Sequence, residues 1–193
     1  MTTEGDPDLR DEALRKIGRN LVNFQRFEKA LKLIIVRSDI RGYASQIAKQ
    51  YRSRVEDTNR KSLGWLVKEF LDTVYASGSA TEGANDESQE IWMSFVIRVE
   101  SDSDQLRDLK GELRRLVEDR NHLIHEALAR FEPDSSESCT ELITLLDQQH
   151  SKLEPHYLWV MRMLGDIRAM QREVLGKLES QLWKESGTEG DAN

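Results

Sequence analysis

Between Leu142 and Leu182 the chain places apolar residues at helical intervals: Leu142, Leu145, Leu146, Leu153, Tyr157, Val160, Leu164, Ile167, Met170, Val174, Leu178 and Leu182. Spacings of three and four trace one face of an α-helix, whereas a strand alternates with a period of two. Pro155 lies inside this run and is expected to kink or split it near Glu154. Three further stretches carry the same period. One starts near Pro7 and Asp8 and runs to about Val36, through Leu14, Ile17, Leu21, Phe24, Phe27, Leu31 and Ile34. Proline suits its first turn, and Asp8, Asp11 and Glu12 suit the positive end of its dipole. A second holds Leu63, Leu66, Val67, Phe70, Leu71 and Val74 and stops by Gly78, with Trp65 half-buried and Thr58 or Asn59 as its cap. The third runs through Leu109, Leu113, Leu116, Leu123, Ala127 and Phe131, capped by Ser101 or Ser103 and stopped by Pro133. With only three prolines, the chain reads as mainly all-α, a bundle of long antiparallel helices. Residues 8–184 suit one domain, with residues 1–7 and 185–193 as disordered ends.

The connections are less regular. Gly42 is a candidate cap for the first helix. Residues 43–60 are polar and basic without a strong period, and read as a loosely held helix or a surface excursion. Residues 76–88 are small and polar and read as a loop. Within residues 91–99, Phe95, Ile97 and Val99 alternate with Ser94, Val96 and Arg98, which predicts a short strand. Its partner is not evident; a symmetry mate or an extended piece of residues 43–60 are the alternatives.

Purely apolar runs such as Leu33–Val36 are far too short to span a bilayer. The acidic start shows no signal-type segment, so the chain reads as cytoplasmic. Cys139 is the single cysteine, which excludes an internal disulfide and a thiolate zinc cluster. His150 and His156 have no evident metal-ligand spacing, and neither a metal nor a cofactor is expected. A net charge of −7 argues against general coating of nucleic acid. Residues 10–61, however, hold 14 Lys/Arg against 6 Asp/Glu. That basic third can guide a phosphate backbone, dock an acidic face in a dimer, or form solvated helix faces. Asn20, Asn23 and Gln25 interrupt the first apolar stripe as expected interhelical hydrogen-bonders.

Arg120 occupies a slot in the third stripe where an apolar residue would fit. A guanidinium stays charged, and its burial without partners is costly. Glu28 and Glu141 are candidate partners. Asn121 and His125, four apart, are helical neighbours. The sequence Arg120-Asn121-x-x-x-His125 resembles the RNxxxH form of the R-x(4–6)-H motif of HEPN domains, which are small and all-helical. The resemblance is specific over about residues 106–183 and architectural before that. It implies a metal-independent endoribonuclease, a toxin or phage-defence effector, with Arg120, Asn121 and His125 as catalytic residues and His122 helping to bind RNA. The implied partners are an RNA substrate, a second copy of the chain, and a cognate antitoxin of nucleotidyltransferase or other type. One HEPN subgroup continues as R-x4-H-x-Y, with a tyrosine that the antitoxin adenylylates. Ala127 stands there in this chain, a departure that removes the modified group.

The chemistry suits these residue types. RNA carries its own nucleophile, the 2′-hydroxyl. Cleavage needs a base, an acid and positive charge at the phosphate. Histidine titrates near neutrality, arginine clamps a phosphate with paired hydrogen bonds, and asparagine orients either. One geometric difficulty stands. Residues five apart lie about 140° apart on a regular helix. Either the helix distorts near His125, or two copies supply complementary halves; the HEPN resemblance implies the second. Glu118, Asp119 and Glu126 flank the motif and either tune His125 or serve the helix surface. The alternative function is a non-catalytic HEPN-like helical dimer, a protein- or nucleotide-binding interaction module. A third is an adaptor or antitoxin whose acidic C-terminal half mimics nucleic acid.

Overall fold

A computed structural model describes residues 6–75 and 90–187. Among these residues, six α-helices, a π-helical turn and a two-stranded ribbon follow in order: α1 (Pro7–Ser38), β1 (Asp39–Tyr43), α2 (Ile47–Asn59), α3 (Leu63–Val74), β2 (Trp92–Val96), α4 (Ser103–His122), the π turn (Leu123–Ala127), α5 (Leu128–Arg130) and α6 (Ser136–Gly187). The chain is therefore an all-α bundle with one small ribbon, as the periodicity predicts.

The helix starts follow local chemistry. The Asp6 carboxylate accepts from the Asp8 amide, and Pro7 opens α1. Asp6 and Pro7 are thus structural, and the expectation that residues 1–7 are unordered is corrected at these two positions. The Ser62 side chain accepts from Trp65 N and caps α3, in place of Thr58 or Asn59. Asp102 takes the amides of Asp104 and Gln105 and caps α4, in place of Ser101 or Ser103. Asp102 is adjacent to the expected residues, whereas Thr58 and Asn59 belong to α2 and the cap of α3 falls three residues beyond Asn59. Residues 47–59 are an ordered helix, α2, and not a surface excursion. α6 runs through Pro155 as one continuous element, without the expected split. Its backbone also continues through residues 185–187, expected to lie in a frayed tail. The expected loop at residues 76–88, including Gly78, lies outside the described residues.

Successive helices alternate in direction. Gly64 at the start of α3 faces the Val117 side chain near the end of α4, and Val99, just before α4, donates to the Val74 carbonyl at the end of α3, so these helices are antiparallel. His156 beside Glu112, with Lys152 beside Asp119, makes α4 and α6 antiparallel too. α3 and α6 consequently lie parallel, and α1 runs parallel to α6 as well. Contacts from Arg10 to Asp134, Lys16 to Asp147 and Arg37 to Gln171 follow that common direction. Phe27, Leu31, Ile34, Leu66, Phe70, Leu113, Leu116, Leu123, Leu146, Leu153 and Leu164 are fully buried between these helices. Phe70 meets Tyr75 and Trp159 edge-on, with ring centroids 5.9 and 5.7 Å apart. Trp65 is 37% exposed, with the Lys61 ammonium 5.1 Å from its ring centroid. Cys139 is buried, its thiol on the Pro133 carbonyl.

The strand predicted within residues 91–99 is present, and its partner is β1. Pairing is antiparallel, with Asp39 opposite Val96 and Tyr43 opposite Trp92. Gly42, expected as a helix cap, is a strand residue at φ +151°, opposite Met93. A five-residue segment containing two charges and a glycine carries little strand propensity. Its conformation is imposed by tertiary bonds: Ile97 N donates to Ser38 O at 2.8 Å, Ala44 N to Ile91 O at 2.9 Å, and Arg41 and Arg98 both pair with Asp39. Arg54 of α2 donates to the Asp39 carbonyl and ties the ribbon to that helix.

Candidate functional site

α4 carries the motif on its last turn. Leu113 and Leu116 are buried before it and Leu123 after it. The helix then widens. The Leu128 amide donates to the Leu123 carbonyl, five residues back, which defines the π turn. In a regular helix Ala127 would stack over Leu123. The extra residue brings Leu128 over it as well, and both Ala127 and Leu128 pack against the core. Tertiary packing thus supplies a reason for the irregularity. The turn begins one residue after His122 and contains His125. Residues of a π turn advance by a smaller angle than those of an α-helix, so the gap between Arg120 and His125 is narrower than a regular helix would set. Of the two solutions posed by the sequence, the helix does distort.

Arg120 is half-buried, not enclosed. Its Nη1 donates to Asn121 Oδ1 at 3.1 Å. Neither proposed carboxylate meets it: Glu28 pairs with Lys32 at 2.7 Å, and Glu141 is exposed and makes no ion pair among the described residues. The expectation of a buried, paired Arg120 is therefore corrected. An arginine can lay its stem along apolar neighbours and keep its head in water, which removes the need for a buried counter-ion. One of its five donors goes to Asn121. Asn121, His122 and His125 are exposed. His125 has no hydrogen-bond or ion-pair partner among the described residues.

The flanking acids are committed elsewhere. Glu118 pairs with Arg114 at 3.1 Å, Asp119 with Lys152 at 3.1 Å, and Glu126 lies 4.0 Å from His122. None of them meets His125. His150 and His156 stand beside Glu154 and Glu112. The motif therefore presents an arginine, an asparagine and two histidines on one stretch of surface, with most donors unengaged. That set can clamp a phosphate and transfer protons.

A polar seam beneath the motif was only partly visible in the sequence. Gln149, 1% exposed, donates from Nε2 to the Asp119 carbonyl at 2.8 Å. Its Oε1 accepts from Asn20 Nδ2 at 3.5 Å, and the same Asn20 nitrogen donates to Leu146 O at 2.8 Å. Asn20 is thus the interhelical hydrogen-bonder expected of it. Asn23 and Gln25 make no such bond among the described residues. Lys16 and Arg19 close the seam on Asp147. The hydrogen bond to Asp147 raises the Lys16 ammonium above its ordinary value, with a smaller contribution from Glu12. The same bond from Lys16, helped by Arg19, lowers the Asp147 carboxyl. Burial opposes both shifts. The legible signal for Gln149 was its place between Leu146 and Leu153, a polar residue at core spacing.

Comparison with family models, with curated proteins and with solved structures finds no match to this chain. No helix among the described residues is long and apolar enough to cross a membrane.

Proposed function

We propose that this chain is a metal-independent endoribonuclease of HEPN type, acting as a homodimer in the cytoplasm. Its biological setting is a toxin–antitoxin or phage-defence system with a cognate antitoxin. The observation that carries the reading is a half-buried Arg120 bonded to exposed Asn121, followed by a π turn that holds His125, which has no partner among the described residues. Such turns recur at functional sites because they re-aim side chains at a local cost in hydrogen bonding. In the reaction, the RNA 2′-hydroxyl attacks the adjacent phosphorus. A His125 imidazole takes the hydroxyl proton, and the leaving 5′-oxygen receives a proton from an acid. Arg120 holds the phosphate oxygens as charge builds, and Asn121 fixes the guanidinium. A second copy of the motif across a two-fold axis supplies the complementary proton-transfer group. His122 adds a second cation when protonated.

The test is incubation of the purified protein with mixed total RNA in EDTA, beside His125→Ala. Cleavage by the wild type alone, leaving 2′,3′-cyclic phosphate ends, is the expected result. Cleavage by both proteins rejects the site.

A second reading, a non-catalytic interaction module, draws on a different observation. α6 extends about 24 Å beyond Gln171, which marks the end of α1. Nearby, Ile91, Trp92, Met93, Val174 and Leu175 remain exposed around a cavity of about 630 Å³. An apolar patch on an overhanging helix is a natural seat for a second copy. Ile91→Lys with Leu175→Lys, followed by light scattering, tests it: a dimer that persists excludes this face.

A further inference from the structure

We infer that the groove between α3 and α4 binds single-stranded RNA and delivers it to the motif; the inference rests on the ribonuclease reading above. The groove has a volume of about 600 Å³. Its floor is apolar, with Val67, Leu71 and Val117, and Tyr75 lies at one end. Three cations line it, Lys68 from α3 and Lys110 and Arg114 from α4, against one carboxylate, Asp72. Lys68 and Lys110 are exposed and make no ion pair among the described residues. Arg114 pairs only with exposed Glu118, a contact that a phosphate can displace. On a protein of net charge −7, a local excess of unpaired cations over an apolar floor with an aromatic edge is notable. Cations to follow a backbone and apolar or aromatic surface to receive bases are the general requirements for gripping single strands.

The groove also points towards the motif. Lys110, Arg114 and Val117 line it at helical spacing. Asn121 is the next residue of that face, four beyond Val117. Along the α4 axis, Arg114 and Asn121 are about 10 Å apart. The cationic wall and the candidate catalytic residues therefore form one row. The basic residues of α2, part of the cationic stretch 10–61, lie beside the ribbon and do not line this groove.

The test uses the full chain carrying His125→Ala, so that RNA survives, and a fluorescein-labelled single-stranded oligoribonucleotide read by anisotropy. Lys68→Glu with Lys110→Glu should weaken binding at least ~10-fold, and the dependence of log K on log salt should lose about 1.4 of its slope, for two phosphate contacts on a single strand. Lys49→Glu with Arg52→Glu, an equal charge change on α2, should leave binding nearly unchanged. Equal losses from both pairs, or none from the groove pair, would overturn the assignment. All four residues are exposed, and matching thermal melts will show that folding is intact. A wild type that does not cut RNA while the groove pair still abolishes binding would reject the ribonuclease and keep the RNA groove. Normal binding by the groove variant, in a protein whose wild type cuts RNA, would do the reverse.

Discussion

The Gln149 side chain donates to the backbone carbonyl of Asp119, at 2.8 Å, one residue before Arg120. The bond joins α6 to the last turn of α4 from inside the core. The same carbonyl also accepts from the Leu123 amide, the first residue of the π turn. One buried amide side chain thus touches the backbone where the motif begins. Asn20 supports it from α1, so three helices converge under the site.

This arrangement predicts that Gln149→Leu is destabilising. The substitution keeps the apolar volume but leaves Asn20 and the Asp119 carbonyl short of a partner. Such losses cost ~1–3 kcal/mol. Urea unfolding followed by circular dichroism measures it. An unchanged midpoint would show that the seam contributes nothing to stability. RNA cleavage should fall too, because the start of the motif turn loses its tether.

Arg120→Ala and His125→Ala should separate activity from folding. His125 is exposed and has no partner among the described residues, so its removal should change stability within ~0.5 kcal/mol. Arg120 is half-buried and bonded only to Asn121, so its loss should cost well below the ~3–5 kcal/mol of a broken buried ion pair. Both variants should lose cleavage of RNA. An Arg120→Ala protein that melts far below wild type would identify Arg120 as a structural residue.

Deleting Ile124 should convert the π turn to regular helix. Leu128 would then follow Leu123 by four and keep its place over it. The expected outcome is a helical, cooperatively folding protein whose histidine follows Arg120 by four and Asn121 by three, so that its setting relative to both is changed. Cleavage should be lost while the circular dichroism spectrum is retained. Full cleavage by this variant would show that the turn has no part in positioning His125.

The Lys16–Asp147 pair sets a pH dependence on both sides. The Asp147 carboxyl is held below its ordinary 3.8. Its contribution to stability is therefore present above 3.8 and lost as pH falls through the lower folded-state value. Lys16 is held above its ordinary 10.5, so its contribution is complete below 10.5 and lost as pH rises through the higher folded-state value. Thermal melts across pH should show Asp147→Asn lowering the neutral-pH midpoint and flattening the acid limb. An acid limb as steep as the wild type's would place the pH sensitivity in other carboxylates.

Much of the fold was readable because it rests on local periodicity. The stripes through Leu31, Phe70, Leu116 and Leu153 supply most of the buried residues of the four main helices, although Leu14, Met170 and Val174, placed in the same stripes, are exposed. Pro7 and Pro133 marked a start and a stop because proline lacks an amide and fixes φ, although Pro155 lies inside a continuous α6. The strand at Phe95 showed its alternation. The motif residues were likewise legible, since Asn121 and His125 are four apart on any helix.

The remaining features depend on contacts between distant segments, which no local pattern encodes. β1 is extended because Ile97 and Ala44 close the ladder around it and Arg98 holds Asp39, 59 residues away. Arg120 was expected to be buried on an ideal wheel. It is half-exposed because a long side chain can reach water from the margin of a packed face. The π turn arises where Leu123 and Leu128 both seek the same core, a demand visible only once α4 lies against its neighbours. Tertiary packing also places α1 beside α6 in parallel, and with it Asn20 beside Gln149. Apolar spacing could specify that helices form and which faces they bury. It could not specify which buried polar groups would meet, because each hydrogen bond needs two residues brought together from opposite ends of the chain.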